Sequence, residues 1–174
     1  MRPAPGKEAV SVEFLPAGKE MNMATAALRE FSRSFGGSDE DKEKLVRDTL
    51  TAVGLDPDVV WDRRAHELSG GQCQRVCIAR SLALDPDVLI CDEPVSSLDV
   101  SVQAQILNLL EQARERLRLS MIFIAHDVAV VKNISDRVLV MYLGKTCEVV
   151  PSDDLENAAL HPYTRLLLAS VPRE

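Results

Sequence analysis

The chain reads as an α/β protein with a mainly parallel sheet, and three observations predict it. Two short apolar runs, Val88-Leu89-Ile90-Cys91 and Met121-Ile122-Phe123-Ile124-Ala125, have the length and composition of buried strands. An amphipathic stretch lies between them, with Val102, Ile106, Leu109, Leu110, Ala113 and Leu117 at helical spacing. Strand, helix and strand in that order imply a crossover, hence parallel neighbours. A third run, Val138-Leu139-Val140-Met141-Tyr142, continues the alternation and is expected in the same sheet.

Composition narrows the class. The chain has 174 residues, 46% of them hydrophobic and 27% charged, enough for one domain with a core and a globular balance. A net charge of −7 argues against broad contact with nucleic acid or anionic lipid. No apolar run approaches the roughly 20 residues that span a bilayer. The start, Met1-Arg2-Pro3-Ala4-Pro5-Gly6-Lys7, lacks the apolar stretch of a signal peptide. The expected compartment is the cytoplasm, with membrane contact only through a partner. Cys73 and Cys77 stand at i, i+4, but no third and fourth ligand follow at zinc-finger spacing. These two, Cys91 and Cys147 are read as small buried hydrophobes.

Taken in order, residues 1–22 form an N-terminal tail rich in Pro, Gly and charge. Within it Val10-Ser11-Val12-Glu13-Phe14 alternates, so the stretch is either a frayed tail or an edge strand. Residues 23–84 read as a helical segment. Ala26, Ala27, Leu28 and Phe31 lie on one helix that Gly36-Gly37 ends. Ser38 caps the next, whose first turn is acidic and whose apolar face is Leu45, Val46, Leu50 and Val53. Gly54 closes it, and Asp56-Pro57 opens a short turn toward Trp61, which is read as a packing residue.

The sequence Leu68-Ser69-Gly70-Gly71-Gln72 is a helix start. Ser69 caps, and Gln72 three residues on reaches back, a capping box. The helix runs to about Leu84, where Asp85-Pro86 stops it. Gly70 and Gly71 let another molecule approach the backbone. Free N–H groups and the positive dipole end suit an anion, most naturally phosphate. The strand that follows ends in Asp92-Glu93, at the edge where open α/β sheets bind ligands. Asp99 or Ser101 caps the long helix, and the next strand ends at His126-Asp127. A helix around Val128 to Ile134 follows, and Gly144-Lys145 turns the last strand back into Thr146-Cys147-Glu148-Val149-Val150.

These residues resemble the ATP-binding cassette (ABC) ATPases. LSGGQ at 68–72 is similar to their signature motif, and VLICDE at 88–93 to their Walker B strand. Ser96-Ser97-Leu98-Asp99 resembles the D-loop, and Ile124-Ala125-His126-Asp127 the switch-histidine loop. The resemblance implies a P-loop-NTPase-like parallel sheet with a helical signature-motif subdomain. It divides the chain into a tail at 1–22, the helical subdomain at 23–84, the C-terminal half of the ATPase core at 85–150 and a helical extension at 151–174. It implies ATP and Mg²⁺ as cofactors. Asp92 would hold Mg²⁺ through water, Glu93 would orient the attacking water, and His126 would hold that geometry. Ser69, Gly70, Gly71 and Gln72 would cover the γ-phosphate of ATP bound to a second ABC ATPase subunit, with Asp99 and Ser97 at the dimer interface. Asp92, Glu93 and His126 are expected to cluster, and Ser69 to serve the partner.

The end, His161-Pro162-Tyr163-Thr164-Arg165 through Val171-Pro172, resembles the ATP-binding subunits of oligopeptide and dipeptide importers. So does Asp99 through Leu110. Transmembrane permease subunits would then be partners, placing the chain at the inner face of the cell membrane. The phosphate loop pattern G-x-x-x-x-G-K-[ST] does not occur: Gly144-Lys145-Thr146 has Leu139 where the first Gly belongs. The chain is therefore read as the C-terminal portion of a cassette, inactive alone, whose apolar strands have an unpaired edge. A non-catalytic module lending its signature face to a complete subunit is the alternative. DNA-maintenance ATPases share the signature, but their coiled-coil insertions have no counterpart here.

Overall fold

The computed structural model describes residues 9–12 and 38–171. They fall into two compact units that divide between Ile122 and Phe123.

In the first unit Ser38 caps α1 (Asp39–Ala52) with a full box. Its hydroxyl accepts the Asp41 N–H at 3.2 Å, and Asp41 Oδ2 accepts the Ser38 N–H at 3.2 Å. Helix α1 buries Val46 and Leu50. It stops at Gly54, whose φ of +74° a side chain would strain. Asp56 caps the short α2 (Pro57–Val60), with Pro57 in its first turn. Trp61 packs as expected, with the Arg47 guanidinium 4.3 Å from its ring centroid. A 3₁₀ turn (Ala65–Glu67) then leads to α3 (Gly70–Leu82), which buries Val76, Cys77, Ile78 and Ala79. The expected helix at 23–37 lies outside the described residues.

Strand β2 (Val88–Asp92) is the middle of the sheet β1-β2-β3, flanked by β1 (Ala9–Val12) and β3 (Ser120–Ile124). Strand β1 runs parallel to β2, with Ala9 opposite Val88 and Val12 opposite Cys91, so Ala9–Val12 form a strand that is at the edge of this sheet among the described residues. Glu13 and Phe14 of the alternating stretch lie outside the described residues. Leu89 and Cys91 are fully buried. Helix α4 (Val100–Leu117) connects β2 to β3 and buries Ile106, Leu109 and Leu110. The expectation that the run at 121–125 is buried is corrected: Ile122 is 52% exposed and Ile124 46%. Among the described residues β3 has β2 as its one strand neighbour, and it buries Met121 and Phe123 only in part.

The second unit starts at Phe123, within β3, and continues into α5 (Val128–Ile134), capped by Asp127, which accepts the Ala129 N–H at 2.8 Å. Strands β4 (Arg137–Tyr142) and β5 (Lys145–Pro151) form an antiparallel hairpin. Placing the run at 138–142 in the parallel sheet was incorrect: β4 and β5 make a separate two-stranded sheet. The cause is local. Leu143 at φ +48° and Gly144 at φ +75° form a two-residue turn of the primed type, which returns the chain beside itself. Val138, Val140 and Val150 face inward with Leu155 of α6 (Leu155–Ala158), and Tyr163, Leu167 and Leu168 of α7 (Pro162–Ser170) pack against them. No helix among the described residues is long and apolar enough to cross a membrane.

Candidate functional site

The start of α3 is built by its own side chains. Ser69 Oγ accepts the Gln72 N–H at 3.3 Å, and Gln72 Oε1 accepts the Ser69 N–H at 2.9 Å. The Cys73 N–H reaches Ser69 O at 2.9 Å and closes the first helical turn. The N–H groups of Gly70 and Gly71 precede the intrahelical ladder and point away from it. Ser69 and Gly70 are exposed. The result is a neutral cap with a hydroxyl, open amides and the positive end of a 13-residue helix on one surface. That donor set fits the oxygens of a phosphate.

The two glycines also meet a requirement inside the chain. A Cβ on Gly71 would stand 2.7 Å from Val102 Cγ1, and one on Gly70 would stand 3.3 Å from Leu98 Cδ2. The start of α4 and the turn before it therefore press directly on the start of α3. Sequence reading assigned that space to another molecule, because Val102 lies 31 positions beyond Gly71 (102 − 71) and nothing local signals the contact.

The turn after β2 is equally constrained. Asp92 is exposed at the strand end, and Glu93 takes φ +48°, a left-handed conformation that costs a non-glycine residue roughly 1–2 kcal/mol. Both the Ser96 N–H and Ser96 Oγ donate to Glu93 O, the hydroxyl at 3.2 Å. Pro94 and Val95 are buried beneath the turn. Gln103 Nε2 reaches back to Val95 O at 2.9 Å and Leu98 O at 3.1 Å. Asp99, not Ser101, is the cap of α4: its Oδ1 accepts the Val102 N–H at 3.0 Å. Ser101 Oγ donates to the same oxygen at 2.6 Å, and this bond, then the Val102 N–H, holds the Asp99 carboxyl below its ordinary value. Gln103 went unnoticed in the sequence because a helical Gln with main-chain targets five and eight residues back has no motif.

Asp92 supplies a hard oxygen donor of the kind Mg²⁺ takes. No group of three or more metal-ligating side chains forms among the described residues, so a metal here would be completed by water and phosphate oxygens. His126 and Asp127 are exposed and belong to the second unit, whereas Asp92 and Glu93 belong to the first. All four cysteines are free. Cys73, Cys77 and Cys91 are buried and Cys147 is partly exposed.

Sequence and fold both have relatives. A family model described as ABC transporter matches residues 7–96. The oligopeptide transport ATP-binding protein OppF of Escherichia coli is 55% identical over 135 residues, covering 78% of this chain and 40% of that protein. OppF of Haemophilus influenzae is 55% identical over 133 residues, covering 76% of this chain and 40% of that protein. The chain thus spans 40% of the length of these relatives. Among solved structures, the dimeric cassette MJ0796, a bacterial ABC transporter cassette, aligns with a TM-score of 0.71 at 24% identity, covering 82% of this chain and 62% of that one. The cbiO1 subunit of Clostridium perfringens, part of the ABC transporter complex cbiONQ, aligns with a TM-score of 0.69 at 26% identity, covering 84% and 57%. The fold is that of an ABC ATPase cassette, of the P-loop NTPase type.

Proposed function

The chain belongs to the ABC transporter family, and from that premise we propose that it is the signature-bearing portion of an ATP-binding subunit that energises import of peptides or similar small solutes. The observation that carries the reading is the capped start of α3, where a hydroxyl and open amides share one exposed helix end. Ser69 Oγ and the Gly71 N–H donate to the γ-phosphate of ATP held by a second cassette subunit. Gln72 keeps Ser69 in place, and Gly70 and Gly71 leave room for Leu98 and Val102. Asp99 and Ser97 lie at the interface with that subunit.

Bound MgATP supplies the phosphoanhydride that is cleaved. Asp92 would hold Mg²⁺ through water, Glu93 would orient the attacking water and accept its proton, and His126 would take the switch role that its motif implies. Permease subunits receive the work, so the chain sits in the cytoplasm at the inner face of the cell membrane. The 174 residues contain no phosphate loop pattern, and by themselves they hydrolyse ATP negligibly.

Steady-state ATP hydrolysis by a mixed pair with a complete cassette subunit tests this. Ser69→Arg is expected to abolish the activity the pair gains over the partner alone, because bulk and charge enter the phosphate-facing helix start. Glu93→Gln is expected to leave that gain nearly intact, because Glu93 faces a pocket without a phosphate loop. Robust hydrolysis by the isolated chain, lost on Glu93→Gln, would overturn the assignment.

A further inference from the structure

A capping box makes the start of α3 rigid with respect to α3, but it does not decide where that helix points. Arg75, nearly two turns beyond Ser69, has the contacts that do. Its Nη1 donates to Val53 O at 2.6 Å, and its Nη2 donates to Gln105 Oε1 at 3.0 Å. Val53 is the C-cap of α1, where carbonyls lack intrahelical partners and the dipole is negative. Gln105 lies on α4, the helix that Asp99 caps and whose Val102 touches Gly71. One guanidinium therefore joins three helices, from a backbone position about 9 Å along the α3 axis from Ser69. Space is reserved for it: a Cβ on Gly54 would stand 3.0 Å from Arg75 Nη1. The geometry needs a planar group with two separate nitrogens for two acceptors, which lysine lacks.

We infer that Arg75 is a positioning residue for the proposed signature site: it aims the open amides of α3 at the partner's nucleotide by tying α3 to the C-terminal end of α1 and to α4. The inference names a new residue for that site and rests on the reading above for its consequence in hydrolysis. Its structural half stands apart from that reading.

Amide hydrogen exchange on the isolated chain tests the structural half. The Gln72 and Cys73 amides are held by Ser69 Oγ and Ser69 O. Arg75→Ala should accelerate their exchange by about tenfold relative to the amides of β2, because it removes two charge-assisted bonds. Arg75→Lys should give an intermediate rise. Gln105→Leu, which removes one acceptor and leaves Arg75 on Val53, should give roughly a threefold rise. Equal acceleration in β2 and at the start of α3, or none at either, overturns the inference. In the mixed pair, Arg75→Ala should lower kcat about tenfold and hold KM for ATP within about twofold, because the partner binds the nucleotide. An unchanged kcat also overturns it. A mixed pair that shows no gain even with the unaltered chain defeats the functional reading, and the exchange pattern still decides whether Arg75 positions α3.

Discussion

Helices α3 and α4 begin with the same device and differ in what it leaves behind. At α3 the cap is a neutral hydroxyl, so the dipole end and the amides of Gly70 and Gly71 stay open to an anion from outside. At α4 the cap is the Asp99 carboxylate, so the helix carries its own anion. The charge of the cap, more than its geometry, decides which end is available to phosphate. The two ends are also in contact, through Val102 on Gly71 and Leu98 toward Gly70. The closed end is thus the mechanical support of the open one.

The largest effect expected from breaking this contrast comes from Ser69→Asp. Aspartate caps about as well as serine, so α3 and the melting temperature should survive. Hydrolysis by the mixed pair should fall about a hundredfold, because a fixed carboxylate now occupies the anion position and repels phosphate. Full activity in this variant would mean that phosphate meets the chain elsewhere.

Gly71→Ala acts on the support. The added Cβ, 2.7 Å from Val102 Cγ1, should cost about 1–3 kcal/mol in urea denaturation. Adding Val102→Ala should recover part of that loss, which is the signature of a direct contact. Gly70→Ala, facing Leu98 at 3.3 Å, should cost less.

The smallest effect concerns pH. The folded Asp99 carboxyl lies below its ordinary 3.8 because of the Ser101 hydroxyl and the Val102 N–H. Its contribution to stability is therefore present above 3.8 and is lost as pH falls through the folded value. Asp99→Asn keeps a good cap and should match the unaltered chain near neutrality while losing less stability on acidification below about pH 4. The Ser69 cap has no titrating group, so Ser69→Ala should lower the whole stability curve without changing its shape. An acid limb for Asp99→Asn that superimposes on that of the unaltered chain would remove Asp99 from the account.

Short-range features were legible in the sequence. The Ser38 cap and the Ser69 capping box need only residues three apart, although the reciprocal Asp41 bond that makes Ser38 a full box was not read from the sequence. The hairpin around Gly144 and the strand ending at Asp92 likewise announce themselves within a few positions. What escaped depends on separation. Arg75 meets Val53 across 22 residues and Gln105 across 30, and no periodicity in α3 marks such a side chain. The turn was placed at Gly144-Lys145 rather than Leu143-Gly144, because leucine at positive φ is a poor guess from propensity. Strand β4 was placed in the wrong sheet for a related reason. An apolar run reports burial on one face but not the identity of the neighbouring strand.

Cys91 sits between Ile90 and Asp92 in the central strand, fully buried, with its thiol pushed up to about 12 by desolvation. Alkylating reagents attack thiolates, so at mildly alkaline pH the folded chain should react first at the partly exposed Cys147 and last at Cys91. Modification of Cys91 then waits for the strand itself to open, and its rate becomes a clock for that opening. Pulsed alkylation with mass spectrometry reads the clock directly, one residue away from the carboxylate proposed to hold the metal. Adding a partner subunit and MgATP should slow it. A Cys91 that labels as fast as Cys147 would show that the sheet breathes freely.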